Sequence, residues 1–142
     1  MEINFINATL DDTDAILKLV HQLEHFISKA TLLNNLKNNL EDKNYRIFTA
    51  KENDIVVAFA ELHFTQFIHE ENKRVRLTSF CVDEKYRSKN IGSLFLKFIE
   101  NYCKDNHVFN IELTSNVRRT KAHHFYEKNG YVFTSKRFSK KL

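Results

Sequence analysis

Phe80-Cys81-Val82-Asp83-Glu84-Lys85-Tyr86-Arg87-Ser88-Lys89-Asn90-Ile91-Gly92-Ser93-Leu94 leaves an apolar run, crosses a polar and basic turn, and enters a run with helical spacing. It reads as strand, turn, helix. A helix start offers backbone N–H groups without internal partners and a partial positive charge. Successive N–H groups in such a turn form a concave nest for an anion. Arg87 and Lys89 add cationic charge. Gly92, lacking a Cβ, lets backbone come close to a phosphate, and Asn90 is the best non-glycine residue for a positive φ. The chain has only two glycines and no proline, so glycine at 92 marks a backbone demand. The turn is neither a Walker loop nor a dinucleotide fingerprint, for it lacks G-K-[ST] and G-x-G-x-x-G. On residue chemistry alone it also fits an ordinary solvated loop.

Outward from this junction the spacing of apolar residues sets the other elements. Residues 3–8 alternate as a first strand. Thr9 or Asp11 caps a helix whose positive end carries Asp11, Asp12 and Asp14. Its apolar face is Ile16, Leu19, Val20, Leu23, Phe26 and Ile27. Leu32, Leu33, Leu36 and Leu40 mark a second, shorter helix. Strands are expected over 45–50 and 55–64, joined by a turn at Glu52-Asn53-Asp54. A further strand covers 75–82. A helix over 92–104 turns Leu94, Phe95, Phe98, Ile99, Tyr102 and Cys103 inward. A strand over 108–114, a helix over 119–129 closed by Asn129-Gly130, and a last strand over 131–138 complete the chain. The order is β-α-α-β-β-β-α-β-α-β, an α/β (α+β) chain with a mixed sheet of about six strands and helices on both faces.

Length and composition set outer bounds. The 142 residues suit a single domain over 1–142, and 42% hydrophobic with 28% charged residues is an ordinary globular composition. No apolar run is long enough for a membrane span, and the N-terminus lacks the pattern of a secretory signal. Cys81 and Cys103 sit in apolar runs and read as buried reduced thiols of a cytoplasmic protein. The net charge of +4 and isoelectric point near 9.0 favour anionic partners in general. His63, His69, His123 and His124 show no ligand spacing, so no metal is expected.

Two motifs together resemble the GNAT (GCN5-related) N-acetyltransferase superfamily. Arg87 and Gly92, following the apolar strand at Phe80, match its coenzyme turn R/Q-x-x-G-x-G/A, with Asn90 replacing the first glycine. Ala122-His123-His124-Phe125-Tyr126 through Asn129-Gly130-Tyr131 matches A-x-x-F-Y-x-x-x-G-F/Y, and the element order is the family's from end to end. Within the superfamily, the turn ending Gly92-Ser93, the Thr114-Ser115-Asn116-Val117-Arg118-Arg119 stretch, the helix carrying His123 and the Arg137-Phe138-Ser139-Lys140 ending look like bacterial aminoalkylphosphonate N-acetyltransferases.

The resemblance implies acetyl-CoA as co-substrate and four tasks. Arg87, Ser88, Lys89, Asn90, Ile91, Gly92 and Ser93 would hold its pyrophosphate. Backbone N–H groups of Phe80, Cys81 and Val82 would polarise the thioester carbonyl where the strand splays from 108–114; such a donor is worth roughly 3 kcal/mol. Tyr126 matches the family tyrosine beside the coenzyme sulfur, where a phenol of pKa about 10 returns a proton to a thiolate of pKa about 8.5; packing against Phe125 is its bland alternative. Phe125 and His123 lie in the same closing motif. Asn116 matches a residue meeting the pantetheine arm or substrate, or it simply forms a turn. Arg118, Arg119 and Lys121 either meet the ribose phosphate or start a solvated helix.

The base for the ammonium substrate stays open. The strand Arg74-Val75-Arg76-Leu77-Thr78-Ser79-Phe80 has no carboxylate, and Ser79 stands where the phosphonate-type relatives have Glu. Glu61 and His63, which share one face of the preceding strand, and His123 remain. His21, His25, His69 and His107 read as surface residues. The expected function is N-acetylation of a small amine. A peptide N-acetyltransferase and a non-catalytic acyl-CoA-binding domain are the other readings. A nucleic-acid-binding domain is disfavoured, since neither stacked aromatics on an exposed sheet nor a helix-turn-helix pattern occurs. The basic last strand would allow a homodimer.

Overall fold

The structure is a computed structural model and describes residues 2–142. The chain divides into two compact units, the first running to Glu112 and the second from Leu113 to Leu142.

The first unit is built on a five-stranded sheet in the order β1-β2-β3-β4-β5. β1 (Asn4–Asn7), β2 (Tyr45–Glu52), β3 (Ile55–Thr65) and β4 (Arg74–Val82) are antiparallel neighbours, and β5 (Ile111–Glu112) joins β4 in parallel. Strict alternation along β2 divides the core. Ile47, with Phe59 and Cys81, faces α1 (Thr13–Gln22) and α2 (Lys29–Glu41), where Ile16, Leu19 and Leu36 pack. Phe48 faces the other way, against Phe98 and Tyr102 of α3 (Ile91–Asp105). Phe5 stacks between Phe95 and Phe98 at centroid distances of 5.1 and 5.2 Å. Phe5, Phe48, Phe95 and Phe98 thus pack together in the layer between the sheet and α3. Thr49 sits in the interior with its Oγ1 unpaired.

Turn chemistry matches a chain poor in glycine. Asn53 and Asp54 have φ of 47° and 65°, the two left-handed residues of a tight hairpin between β2 and β3. Three helices stop on a left-handed residue with the same pair of bonds. Glu24 and His25 donate to the carbonyls of His21 and Val20, His107 and Val108 to those of Lys104 and Cys103, and Gly130 and Tyr131 to those of Glu127 and Tyr126. Only the last uses glycine. Thr9 opens the first helical segment, its N–H donating to Asp12 Oδ2 at 2.9 Å, and Asp12, itself buried, pairs with Lys51 Nζ at 2.9 Å.

Four expectations are corrected, the last of which lowers the strand number. The left-handed Glu24 ends α1 before Phe26, which is 83% exposed and not on the apolar face. Leu94 lies off the stripe of Ile91, Phe95, Ile99 and Cys103 and is exposed rather than inward. The sheet has five strands, not about six. Residues 108–110 serve as the exit from α3, so the strand expected over 108–114 shrinks to Ile111–Glu112. Residues 131–138 take no regular structure. Val132 and Phe133 are adjacent and both exposed, so no single face alternates, and a strand without a ladder partner leaves its backbone unpaired.

In the second unit, α4 (Thr120–Lys128) follows a turn organised by Asn116. Asn116 Oδ1 accepts the Arg118 N–H at 3.1 Å, and its carbonyl oxygen accepts the Arg119 N–H at 3.0 Å. Phe125, Tyr126 and Tyr131 form an edge-packed aromatic trio at 5.3 and 5.8 Å. None of the described helices is long and apolar enough to cross a membrane.

Candidate active site

The turn from β4 to α3 carries two left-handed non-glycine residues, Ser88 at φ 64° and Asn90 at φ 65°, with Asn90 as the N-cap of α3. The turn thus holds two positive-φ positions without glycine at either. Gly92 is buried in the first turn of α3. Arg87, Ser88, Lys89 and Asn90 are exposed. Arg87 Nε donates to the Val82 carbonyl at 3.1 Å, and Lys89 Nζ lies 5.3 Å above the Tyr86 ring. These residue types, with the leading N–H groups of α3, fit a pyrophosphate.

Asp83 holds this turn in place, a role that sequence reading missed. Its carboxylate accepts from Lys18 Nζ at 3.0 Å, the Lys85 N–H at 3.1 Å and Gln22 Nε2 at 3.4 Å. Gln22 Oε1 in turn accepts the Glu84 N–H at 3.0 Å. The turn is thereby tied to α1. Burial alone would raise the Asp83 carboxyl, but the Lys85 N–H, Lys18 and Gln22 outweigh it and hold the group below its ordinary value. The sequence signal was faint: an acidic residue at a strand end before a basic turn.

β5 pairs with β4 at Val75 and Arg76 and the ladder stops there, before Phe80–Val82. The Phe80 ring packs on Phe95 at 5.5 Å, and the Cys81 side chain is buried on the α1 and α2 side. Cys81 and Cys103 are both free thiols. Burial, reinforced by Glu100, pushes Cys103 up to about 12.

A cavity of about 440 Å³ opens between α1, α2 and the sheet, within the first unit. Ile16, Val20, Ile27, Leu32, Leu36, Ile47 and Phe59 give it apolar walls, and Glu61, Ser79, His25, Asn35, Asn38 and Asn39 supply its polar groups. Glu61 on β3 stands directly across from Ser79 on β4. Glu61 and Ser79 both line this cavity. Both oxygens of Glu61 are held. Asn39 Nδ2 donates to Oε2 at 2.9 Å, and Thr78 Oγ1 donates to Oε1 at 2.8 Å. Thr78 reaches Glu61 because the β3–β4 register shifts there, leaving Thr78 as the extra residue of a bulge.

His63 is on the same face as Glu61 but outside the cavity lining, its ring stacked on Tyr45 at 4.3 Å. His25 was expected on the surface; it is exposed and lines the cavity as well. Asn39 and Thr78 were missed, because the pairing of α2 with β3 and the bulge are tertiary facts. In the second unit, His123 Nε2 lies 2.8 Å from the Asn116 carbonyl oxygen. A carbonyl only accepts, so Nε2 carries the proton there. Tyr126 lies in the aromatic trio of that unit. Among the described residues no cluster of His, Cys, Asp and Glu is placed to hold a metal.

Comparison with known proteins bears on the family and the fold. The chain is 29% identical over 137 residues to an aminoalkylphosphonate N-acetyltransferase of Salmonella typhimurium, covering 96% of this chain and 89% of that protein. Its fold is similar to that of a transcriptional regulator from Bacillus halodurans C-125, with TM-score 0.90, 18% identity, and 99% and 100% of the two chains covered. It is also similar to a predicted acetyltransferase of Clostridium acetobutylicum solved with acetyl-CoA, with TM-score 0.81, 17% identity, and 99% and 97% covered. The model of the acetyltransferase (GNAT) family matches residues 12–131, and the chain belongs to that family.

Proposed function

We propose that this chain transfers an acetyl group from acetyl-CoA to the primary amine of a small molecule, by direct attack with both substrates bound. The observation that carries the reading is Glu61: a half-buried carboxylate in a cavity of about 440 Å³, opposite Ser79, with each oxygen fixed by a donor. That volume lies in the range of small-molecule sites, roughly 300–1,000 Å³. The family model spans residues on both sides of Glu112, which supports reading 1–142 as one acetyltransferase domain.

The roles follow from residue chemistry. Acetyl-CoA supplies the acyl group as a thioester. Arg87, Lys89, the left-handed Ser88 and Asn90, and the N–H groups of Ile91, Gly92 and Ser93 bind its pyrophosphate. Phe80, Cys81 and Val82 line the acyl end. Glu61 attracts the ammonium group, removes its proton directly or through one water, and leaves a neutral nitrogen able to attack. His63 supports the Tyr45 side of the same sheet face. Tyr126 gives its phenol proton to the departing sulfur and is restored by the proton that the attacking nitrogen sheds on becoming an amide, and Asn116, His123 and Phe125 shape the coenzyme side of the second unit. The acceptor named for the Salmonella relative, an aminoalkylphosphonate, is one member of the proposed class of small amines.

Release of free thiol from acetyl-CoA, followed against a panel of amines, tests the reading. Glu61→Gln lowers kcat by roughly 10²–10⁴-fold while calorimetric binding of acetyl-CoA is unchanged. Tyr126→Phe lowers kcat at saturating acetyl-CoA. Wild-type rates in Glu61→Gln would remove Glu61 as the base, and acetyl-CoA binding without turnover on any amine would favour a non-catalytic acyl-CoA-binding domain.

A further inference from the structure

The polar equipment of the cavity is lopsided. Its fixed charge is the Glu61 carboxylate, and around it stand the side-chain amides of Asn35, Asn38 and Asn39 and the hydroxyl of Ser79. Among the described residues no Lys or Arg lines it. The two α2 lysines do not enter that lining, and Lys29 is paired with Asp14 at 2.9 Å outside it. His25, the other titratable group of the lining, is exposed, whereas Glu61 is half-buried. The remaining wall is apolar.

We infer that the acceptor is a primary amine whose body bears no anionic group: an alkyl amine, or one with hydroxyl or amide groups that the asparagines can meet. The inference rests on the acetyltransferase reading and narrows it. An ammonium entering the cavity is drawn to Glu61. A phosphonate or carboxylate entering with it meets an anion of like sign and loses hydration, and amides return only part of what water supplied. Asn39 and Thr78 are already committed to the Glu61 oxygens. Selection against an anionic acceptor thus comes from the repulsive partner as much as from the attractive one.

The test uses two amines of matched shape, 3,3-dimethylbutylamine and 2-aminoethylphosphonate, which differ in a tert-butyl against a phosphonate group. Each is measured by calorimetric binding and by acetylation with acetyl-CoA, in wild type and in Asn38→Lys. Asn38 lines the cavity and is exposed on α2, so a lysine is accommodated there. Wild type is expected to favour the alkyl amine at least about tenfold in Kd and in kcat/KM, and Asn38→Lys to shift that ratio about tenfold toward the phosphonate. Equal or better use of the phosphonate by wild type overturns the inference, as does a ratio that Asn38→Lys leaves unmoved. Binding of neither amine also overturns it. A calorimetric preference for the alkyl amine with no turnover on either would uphold the charge selection and instead sink the acetyltransferase reading.

Discussion

Replacing Asn90 separates backbone conformation from side-chain chemistry in the coenzyme turn. Asn90 sits at φ 65°, ψ 9°, as the N-cap of α3, and its side chain makes no cap hydrogen bond. Its value therefore lies in tolerating the left-handed region. There an ordinary L-residue costs roughly 1–2 kcal/mol, while Asn is tolerated more readily and Gly pays no steric penalty. Asn90→Gly should leave the turn intact, with at most about 1 kcal/mol lost to the greater freedom of the unfolded chain. Asn90→Ala carries the left-handed strain, about 1 kcal/mol, and Asn90→Val carries more because its branched Cβ crowds the backbone. If the turn relaxes to escape that strain, the nest opens. A loss of about 1 kcal/mol weakens acetyl-CoA about fivefold, and about 2 kcal/mol weakens it some thirtyfold. If the turn holds, the same energy appears instead as a lower melting temperature, by about 4 °C per kcal/mol for a chain of this size. Calorimetric titration of acetyl-CoA, paired with thermal unfolding, reads both. The expected order is wild type, then Gly, Ala and Val. The reasoning fails if Asn90→Gly weakens binding as much as Asn90→Ala, since the asparagine side chain and not the backbone would then be the contact.

Asp83→Asn should destabilise the chain by about 2 kcal/mol in urea at pH 7, through loss of charge-assisted bonds to Lys18 and the Lys85 N–H. Because the folded carboxyl titrates below its ordinary 3.8, its contribution is complete above that pH and is lost as pH falls through the folded value; the wild-type advantage over Asp83→Asn should be flat from pH 7 to 5 and shrink below about 4. Thr49→Val replaces a fully buried hydroxyl with no partner by a methyl of the same shape, and should be neutral or stabilising by about 1 kcal/mol; a loss above about 1 kcal/mol would mean that the hydroxyl is satisfied. Cys103, raised to about 12, should react with a thiol reagent at neutral pH only on unfolding, and the unfolded chain's readier ionisation should erode stability above about pH 9. Labelling at the rate of a surface thiol would contradict that.

Local physics made much of this molecule legible in advance. The strand, basic turn and helix around Gly92 could be read because apolar periodicity, cationic residues and a rare glycine coincide within fifteen residues of chain. Asn90 was singled out for a positive φ, and it has one. The helix stop at Gly130 was visible for the same reason, whereas those at Glu24 and His107 were not, because Glu does not advertise a left-handed conformation and His does so far more weakly than Gly. Phe26 was misplaced as a direct result. The end of the chain misled for a different reason. Apolar residues over 131–138 suggested a strand, but strand formation depends on a partner ladder that no single segment encodes. The cavity shows the same limit. Glu61 could be named from strand parity, yet its opposition to Ser79 depends on register, and its two clamps depend on a bulge at Thr78 and on where α2 crosses β3.

The most direct test of acetyl transfer is product stoichiometry. The protein is incubated with acetyl-CoA and 3,3-dimethylbutylamine, and free thiol and N-acetylated amine are quantified together, the amine by mass spectrometry. The account predicts one acetylamide for each thiol released, at a rate that saturates in both substrates and collapses in Glu61→Gln. Thiol released without acetylamide, or acetylamide formed equally fast by Glu61→Gln, would contradict it.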